Sequence, residues 1–362
     1  MKRGLLLLTT LTAATNAQAD WPPTWTFGDG WQLTPSASLQ YDALHADTDE
    51  GDLDIDGFRR QRAALTLVSP SKHSLKLDYD LAAGSWADLF VRVDLGESGA
   101  IRAGQIKTPI GLEVLTSHRA ISYFERSPAS VLLPGRRLGV EWSRATDAGT
   151  VTIAAIDDNI DRAALGHGVF GRATRQFGAD PDGTRVHVGL GGGVEWPDSA
   201  PRFRGRPDVS GLPLSLADSG VLDDVERLDR VAAEVAVDRG AFSVQGEHVE
   251  LRGHRDDGDF SARGTYLGVS WRATGEARRY RNGIFDTLQP TGDWGALELV
   301  ARLSNLDVPV PDDDRDASGR SLSGGINWYI TGQLKLMAQA TAARPDNDTF
   351  DRIYGIRLHY LF

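Results

Sequence analysis

From residue 20 onward the chain alternates apolar and polar positions almost throughout. Leu75, Leu77, Tyr79 and Leu81 interleave with Lys76, Asp78 and Asp80. Leu89, Val91, Val93 and Leu95 do so with Asp88, Phe90, Arg92 and Asp94, and Val231, Ala233, Val235 and Val237 form another such face. A period of two over about ten residues, bounded by turn residues, is the signature of a strand with two unlike faces. Roughly 16 segments follow it: 31–45, 57–68, 73–82, 86–95, 100–107, 138–146, 149–157, 168–177, 184–196, 227–238, 241–252, 260–273, 294–304, 319–331, 333–343 and 351–362.

Connections alternate between short and long. Ser69–Lys72, Gly96–Gly99, Thr146–Ala148 and Thr331–Gly332 are short, whereas 46–56, 108–137, 197–226, 305–318 and 344–350 are long. An even number of strands with alternating turns and loops predicts an all-β, transmembrane antiparallel barrel whose termini share the periplasmic side. Connection 274–293 breaks the rhythm, being long where a short turn is due. No stretch after residue 19 has the ~20 consecutive apolar residues of a spanning helix. A barrel escapes that criterion, because only alternate residues meet lipid.

The ends add to this picture. Lys2 and Arg3, the apolar run from Leu5 to Leu8 and the small-x-small site Ala17-Gln18-Ala19 predict a cleaved signal peptide over 1–19 and one barrel over 20–362. At the other end Tyr354, Ile356, Leu358, Tyr360 and the final Phe362 share a face. Such an aromatic-capped last strand suits recognition by the barrel-assembly machinery. Trp86, Trp142, Trp196, Trp271, Trp294, Trp328, Tyr329 and Tyr360 are candidates for aromatic belts in outer-membrane lipid.

Composition narrows the chemistry. There is no cysteine, so thiol catalysis and Cys-based metal sites are excluded. The formal charge is −11, and −13 once Lys2 and Arg3 leave (−11 minus 2), which argues against nucleic acid as a partner. The acidic runs Asp47–Asp56 and Pro311–Asp316 read as solvated outer loops; divalent cations that bridge lipopolysaccharide are the alternative. His118, His167 and His248 lie in no catalytic motif, so no catalytic, metal or cofactor site is expected.

Among the bases, lysine occurs only at 2, 72, 76, 107 and 335, and arginine supplies the other 34 of 39. Arg59, Arg60 and Arg62 open the second long strand. Arg202, Arg204 and Arg206 sit at i, i+2 and i+4, so an extended chain projects all three to one side about 7 Å apart. Arg136 with Arg137, and Arg278 and Arg279 with Arg281, add clusters in other long connections. Guanidinium forks hold phosphate or carboxylate by paired hydrogen bonds. A lumen lined by them favours small anions; pairing with carboxylates such as Asp218, Asp223, Asp224 and Glu226 would leave it weakly selective. A soluble secreted all-β binding protein and a plugged, structural barrel are the other readings.

The chain resembles the phosphate-selective porin O and P family. The resemblance rests on Gly57-Phe58-Arg59-Arg60, Leu77–Leu81, Gly104–Glu113, Phe124–Ser127, Pro134–Val140, Arg202–Pro207, Thr274–Glu276, Tyr280–Phe285 and Asn327–Tyr329, in order over nearly the whole chain after residue 19. It implies a homotrimer of 16-stranded barrels in the bacterial outer membrane, conducting phosphate-like anions. Residues 108–137 and 197–226 would be outer loops folded into the pore, and 274–293 a periplasmic connection doing likewise. It also implies an arginine ladder, matched by Arg202, Arg204 and Arg206, leading to a lysine-rich constriction, with Lys107 in the matching block. Four lysines after residue 19 cannot build a lysine cluster.

Overall fold

The computed structural model describes residues 22–162, 164–178, 183–310, 317–345 and 350–362. The signal-peptide region and the Pro311–Asp316 run fall outside these. Seventeen strands share one antiparallel sheet; the three-residue strand Trp25–Phe27 only edges the next one, which leaves sixteen in the ring. They are β1 (Trp31–Thr48), β2 (Gly51–Val68), β3 (Ser74–Asp80), β4 (Ser85–Asp94), β5 (Ala100–Lys107), β6 (Arg136–Thr146), β7 (Gly149–Ile156) and β8 (His167–Phe177). Next come β9 (Thr184–Trp196), β10 (Val225–Arg239), β11 (Phe242–Arg255), β12 (Phe260–Arg272), β13 (Ala296–Val308), β14 (Ala317–Tyr329), β15 (Leu334–Pro345) and β16 (Asp351–Leu361). Each strand pairs with its chain neighbours, and β16 closes on β1 from Ser38↔Leu361 to Asp47↔Arg352. Closure leaves no open edge, the condition for placing a sheet in lipid.

Burial is inside out. Along β10, Leu228, Arg230, Ala232, Glu234, Ala236 and Asp238 are buried while Val231, Val235 and Val237 stand exposed. Arginines and glutamates thus occupy the interior and valines the outside, which suits a bilayer and no other solvent. Aromatics gather at the rim that holds the termini, where Trp31, Phe242, Trp271, Trp294, Trp328 and Tyr360 are exposed.

All sixteen predicted segments are strands, but 46–56 is not a loop. β1 and β2 run on to Asp47↔Asp52 and Thr48↔Gly51, so only Asp49 and Glu50 turn the chain. The alternation continues there: Asp52, Asp54 and Asp56 face out, while Leu53 and Ile55 pack inward against Val209 and Leu212. Acidity marks this tip as wet, but the buried partner on its inner side keeps it extended.

Candidate functional site: a charged bore narrowed by three connections

Between β5 and β6, residues 108–135 enter the barrel instead of covering its mouth. Pro109 and Gly111 end the strand, and helix α1 (Leu112–Leu115) follows. Its first turn is held from the far wall, where the Glu247 carboxylate accepts from the N–H groups of Leu112 (2.8 Å) and Glu113 (2.6 Å). Lys107 closes the other end, its Nζ donating to the carbonyls of Val114, Leu115 and Thr116 at 2.8, 2.9 and 3.0 Å. Arg126 donates to the Glu113 and Thr116 carbonyls, both at 2.8 Å. Beyond the helix, Glu125 takes Arg59 and Arg60 at 2.8 Å and Arg357 at 3.3 Å.

A second outer connection, 197–224, lies beside the first. Arg204–Gly205 pairs with Ala217–Asp218, and Phe203, Val209, Leu212, Leu216 and Leu222 are buried beneath it. Arg302, itself fully buried, joins the two loops: it donates to Glu113 at 2.7 Å and to Asp208 at 2.6 Å, over the Tyr123 ring at 4.1 Å. Ser321 and Ser323 complete the Asp208 shell. The periplasmic connection 273–295 rises from below as a small hairpin, Tyr280–Arg281 against Ile284–Phe285. Arg172 donates to the Gly283 carbonyl at 2.9 Å, and Phe285 is buried against Leu112 and Ala236. Outer and periplasmic connections therefore meet inside the barrel.

What they leave open is a cavity of about 1060 Å³ along the wall from β2 to β8. Ten Arg or Lys and five Asp or Glu side chains line it, and Arg144 stands at its rim on the outward parity of β6. Several are paired: Arg62 with Asp78 (2.6 Å), Lys76 and Arg136 with Asp88 (2.7 and 2.6 Å), Arg92 with Asp94 (2.8 Å) and Arg102 with Glu141 (2.6 Å). Among the described residues, Lys107, Arg119 and Arg126 line the cavity with no carboxylate in ion-pair range. Lys107, Arg119 and Arg126 are fixed by carbonyl oxygens, which orient a cation without neutralising it.

The residues singled out in the sequence are distributed unevenly. Arg60, Arg62, Lys107 and Arg136 line the bore. Arg59 stands behind it on Glu125, and Arg137 is buried, bonded to Glu195 and to the Asp157 carbonyl. Arg202 and Arg204 both lean on Asp218 at 2.8 and 3.5 Å, and Arg206 reaches Ser210 at 3.5 Å; none lines the cavity. The Arg202 hydrogen bond holds the Asp218 carboxyl below the usual carboxylate range. Arg278 lies over Phe285 at 4.3 Å, and Arg279 and Arg281 are exposed on the periplasmic hairpin. Sequence reasoning missed Arg102, Arg119, Arg126 and Arg172. Inward parity on their strands marked Arg102 and Arg172, and Arg126 lay in the block Phe124–Ser127.

Comparison with known proteins gives the same architecture. Porin O of Pseudomonas aeruginosa is 29% identical over 124 residues, 30% of this chain and 28% of that protein. The trimer form of the outer-membrane protein OmpT of Vibrio cholerae superposes with a TM-score of 0.61 at 12% identity, covering 92% of this chain and 100% of the other. An anion-selective porin from Comamonas acidovorans does so at 0.59 and 12%, with 92% and 100% covered. A closed ring with an apolar exterior and a wet, charged bore makes the protein a channel of the bacterial outer membrane. The model of the family "Phosphate-selective porin O and P" matches residues 36–362, and the chain belongs to that family.

Proposed function

We propose that the channel passes small anions, phosphate among them, by passive diffusion along an arginine-lined path. The observation that carries this reading is the excess of ten cationic over five anionic side chains around the bore, with three cations lacking a carboxylate partner. Guanidinium forks match the oxygens of phosphate, sulfate and carboxylates. Several weak sites in series let an anion enter without becoming trapped. Arg202, Arg204 and Arg206 at the outer loop and Arg278, Arg279 and Arg281 at the periplasmic hairpin would draw anions toward the two mouths. With no lysine in the inward loop and Lys107 alone at the end of β5 before it, arginine takes over the role that lysine plays in the constriction of the family.

A weakly selective general diffusion pore is the second reading. It is favoured by Asp78, Asp88, Asp94 and Glu141, which compensate much of the wall. Reversal potential in a KCl gradient, with and without phosphate, separates the two. Replacing Arg119 and Arg126 together by Gln should move the potential toward cations if anions use this path, and should leave it unmoved in a compensated pore.

For the same protein we propose export by a cleavable 1–19 segment and insertion by the assembly machinery through the strand ending at Phe362. The assembled channel sits among lipid and lipopolysaccharide as a homotrimer. Small outward residues on β1, β14 and β15 (Ala43, Gly324, Ala338 and Ala340) offer a surface that another barrel can approach closely.

A further inference from the structure

A chain of hydrogen bonds behind the open wall has one direction. Arg62 uses Nε and Nη2 on Asp78 at 2.9 and 2.6 Å, and its Nη1 lies 3.0 Å from His118 Nδ1. A guanidinium only donates, so Nδ1 must be the lone-pair nitrogen of a neutral ring. The proton of His118 is then on Nε2, which donates to Ser38 Oγ at 2.9 Å. Ser38 passes its own hydrogen to His359 Nε2 at 3.0 Å. Arg62 and His118 line the bore, whereas Ser38 and His359 are sealed behind them.

We propose that His118 sets the pore's selectivity according to pH. Neutral, it holds Arg62 against the wall; protonated, it loses that hydrogen bond and adds a second cation to the anion path. A proton on Nδ1 would face the Nη1 hydrogens of Arg62 head-on. The charged groups around the ring are mostly of one sign: Arg62 and Arg60 on β2, and Arg119 on its own loop, with Asp78 on β3 already claimed by Arg62. His359 on β16 is the remaining titratable neighbour. Burial, and then Arg62 and Arg60, push the His118 pKa well below the ordinary histidine range. The ring is therefore neutral at pH 7, and its charge is gained only as the pH falls through that lowered value.

The test is the reversal potential of the full-length channel in a KCl gradient, from pH 7.5 down to 4. Wild type is compared with His118→Gln, whose amide can accept from Arg62 and donate to Ser38 but cannot titrate. Carboxylates and His359 titrate in both proteins, so the difference between the curves belongs to His118. Wild type should gain about twofold more anion-over-cation permeability than His118→Gln on acidification, the scale of one unit charge in a wet bore. His118→Lys should already carry that increment at pH 7.5. Superimposed curves for wild type and His118→Gln overturn the proposal. The comparison is independent of the pore's absolute preference: a channel that is cation-selective at every pH would defeat the anion reading and still show or lack the His118 difference.

Discussion

The two halves of the barrel present the same face to lipid and opposite interiors. On β3 to β6 four cations stay wet, Lys76, Arg92, Arg102 and Arg136 keeping 24–35% of their side-chain surface, and Arg137 is the sealed exception. From β10 to β16 the same kind of residue at the same parity is sealed, with Arg230, Arg272, Arg302 and Arg357 at 5% or less. The inward outer loops cover Arg230, Arg302 and Arg357, the periplasmic connection covers Arg272 through the Glu276 carbonyl, and this cover makes the difference. An arginine with water on one side is part of a conduction path. Covered by a loop, it is a fastener, because a buried carboxylate and guanidinium hold each other in place once both have left water.

That contrast can be broken at one residue. Replacing Arg302 by Ala strands Glu113 and Asp208 as buried, unpaired carboxylates, at a cost of about 3–5 kcal/mol. Both outer loops should loosen, which would appear as a lower unfolding temperature and larger, noisier single-channel currents. Retention of the wild-type current would mean that the loops are held by packing alone.

A smaller change tests packing without touching charge. A Cβ on Gly264 would lie 2.6 Å from the Ala129 Cβ of the inward loop, whereas one on the outward Gly171 of β8 would meet nothing closer than 3.4 Å. Gly264→Ala should destabilise the barrel by about 1–3 kcal/mol, as overpacking does. Gly171→Ala should be nearly silent in the same thermal melt.

At the mouth, replacing Arg202, Arg204 and Arg206 together by Gln should lower anion over cation selectivity with little effect on stability, since these side chains are exposed. The loss should shrink as salt is raised, because salt screens exposed charges beyond the Debye length, about 8 Å at physiological ionic strength and shorter above it. Unchanged selectivity at low salt would remove the ladder from the path. The smallest effect is expected on the wet wall: Arg92→Gln breaks a pair with Asp94 that is a third exposed, and should change stability by about 0–1 kcal/mol.

How much of this was legible in the sequence depends on the range of the interaction. Strand positions were, because the period of two is a local property that every residue of β10 or β16 repeats. The inward course of 108–137, 197–226 and 274–293 was legible through the family resemblance, and the broken rhythm at 274–293 pointed the same way. The tip 46–56 was misjudged because its acidic outer face hid the inward Leu53 and Ile55, whose partners Val209 and Leu212 lie more than a hundred residues away. Among arginines, no local signal separates Arg126, fixed by carbonyls and open to the bore, from Arg137, consumed by Glu195.

The amino-acid order alone therefore determined that this chain closes into a lipid-facing ring with a polar interior, since one side chain in two must find hydrocarbon and its neighbours water. Which cations remain available to a passing ion was decided only in three dimensions. Charge compensation is a contact between strands and loops far apart in the chain, and a guanidinium is freed or consumed by what folds over it.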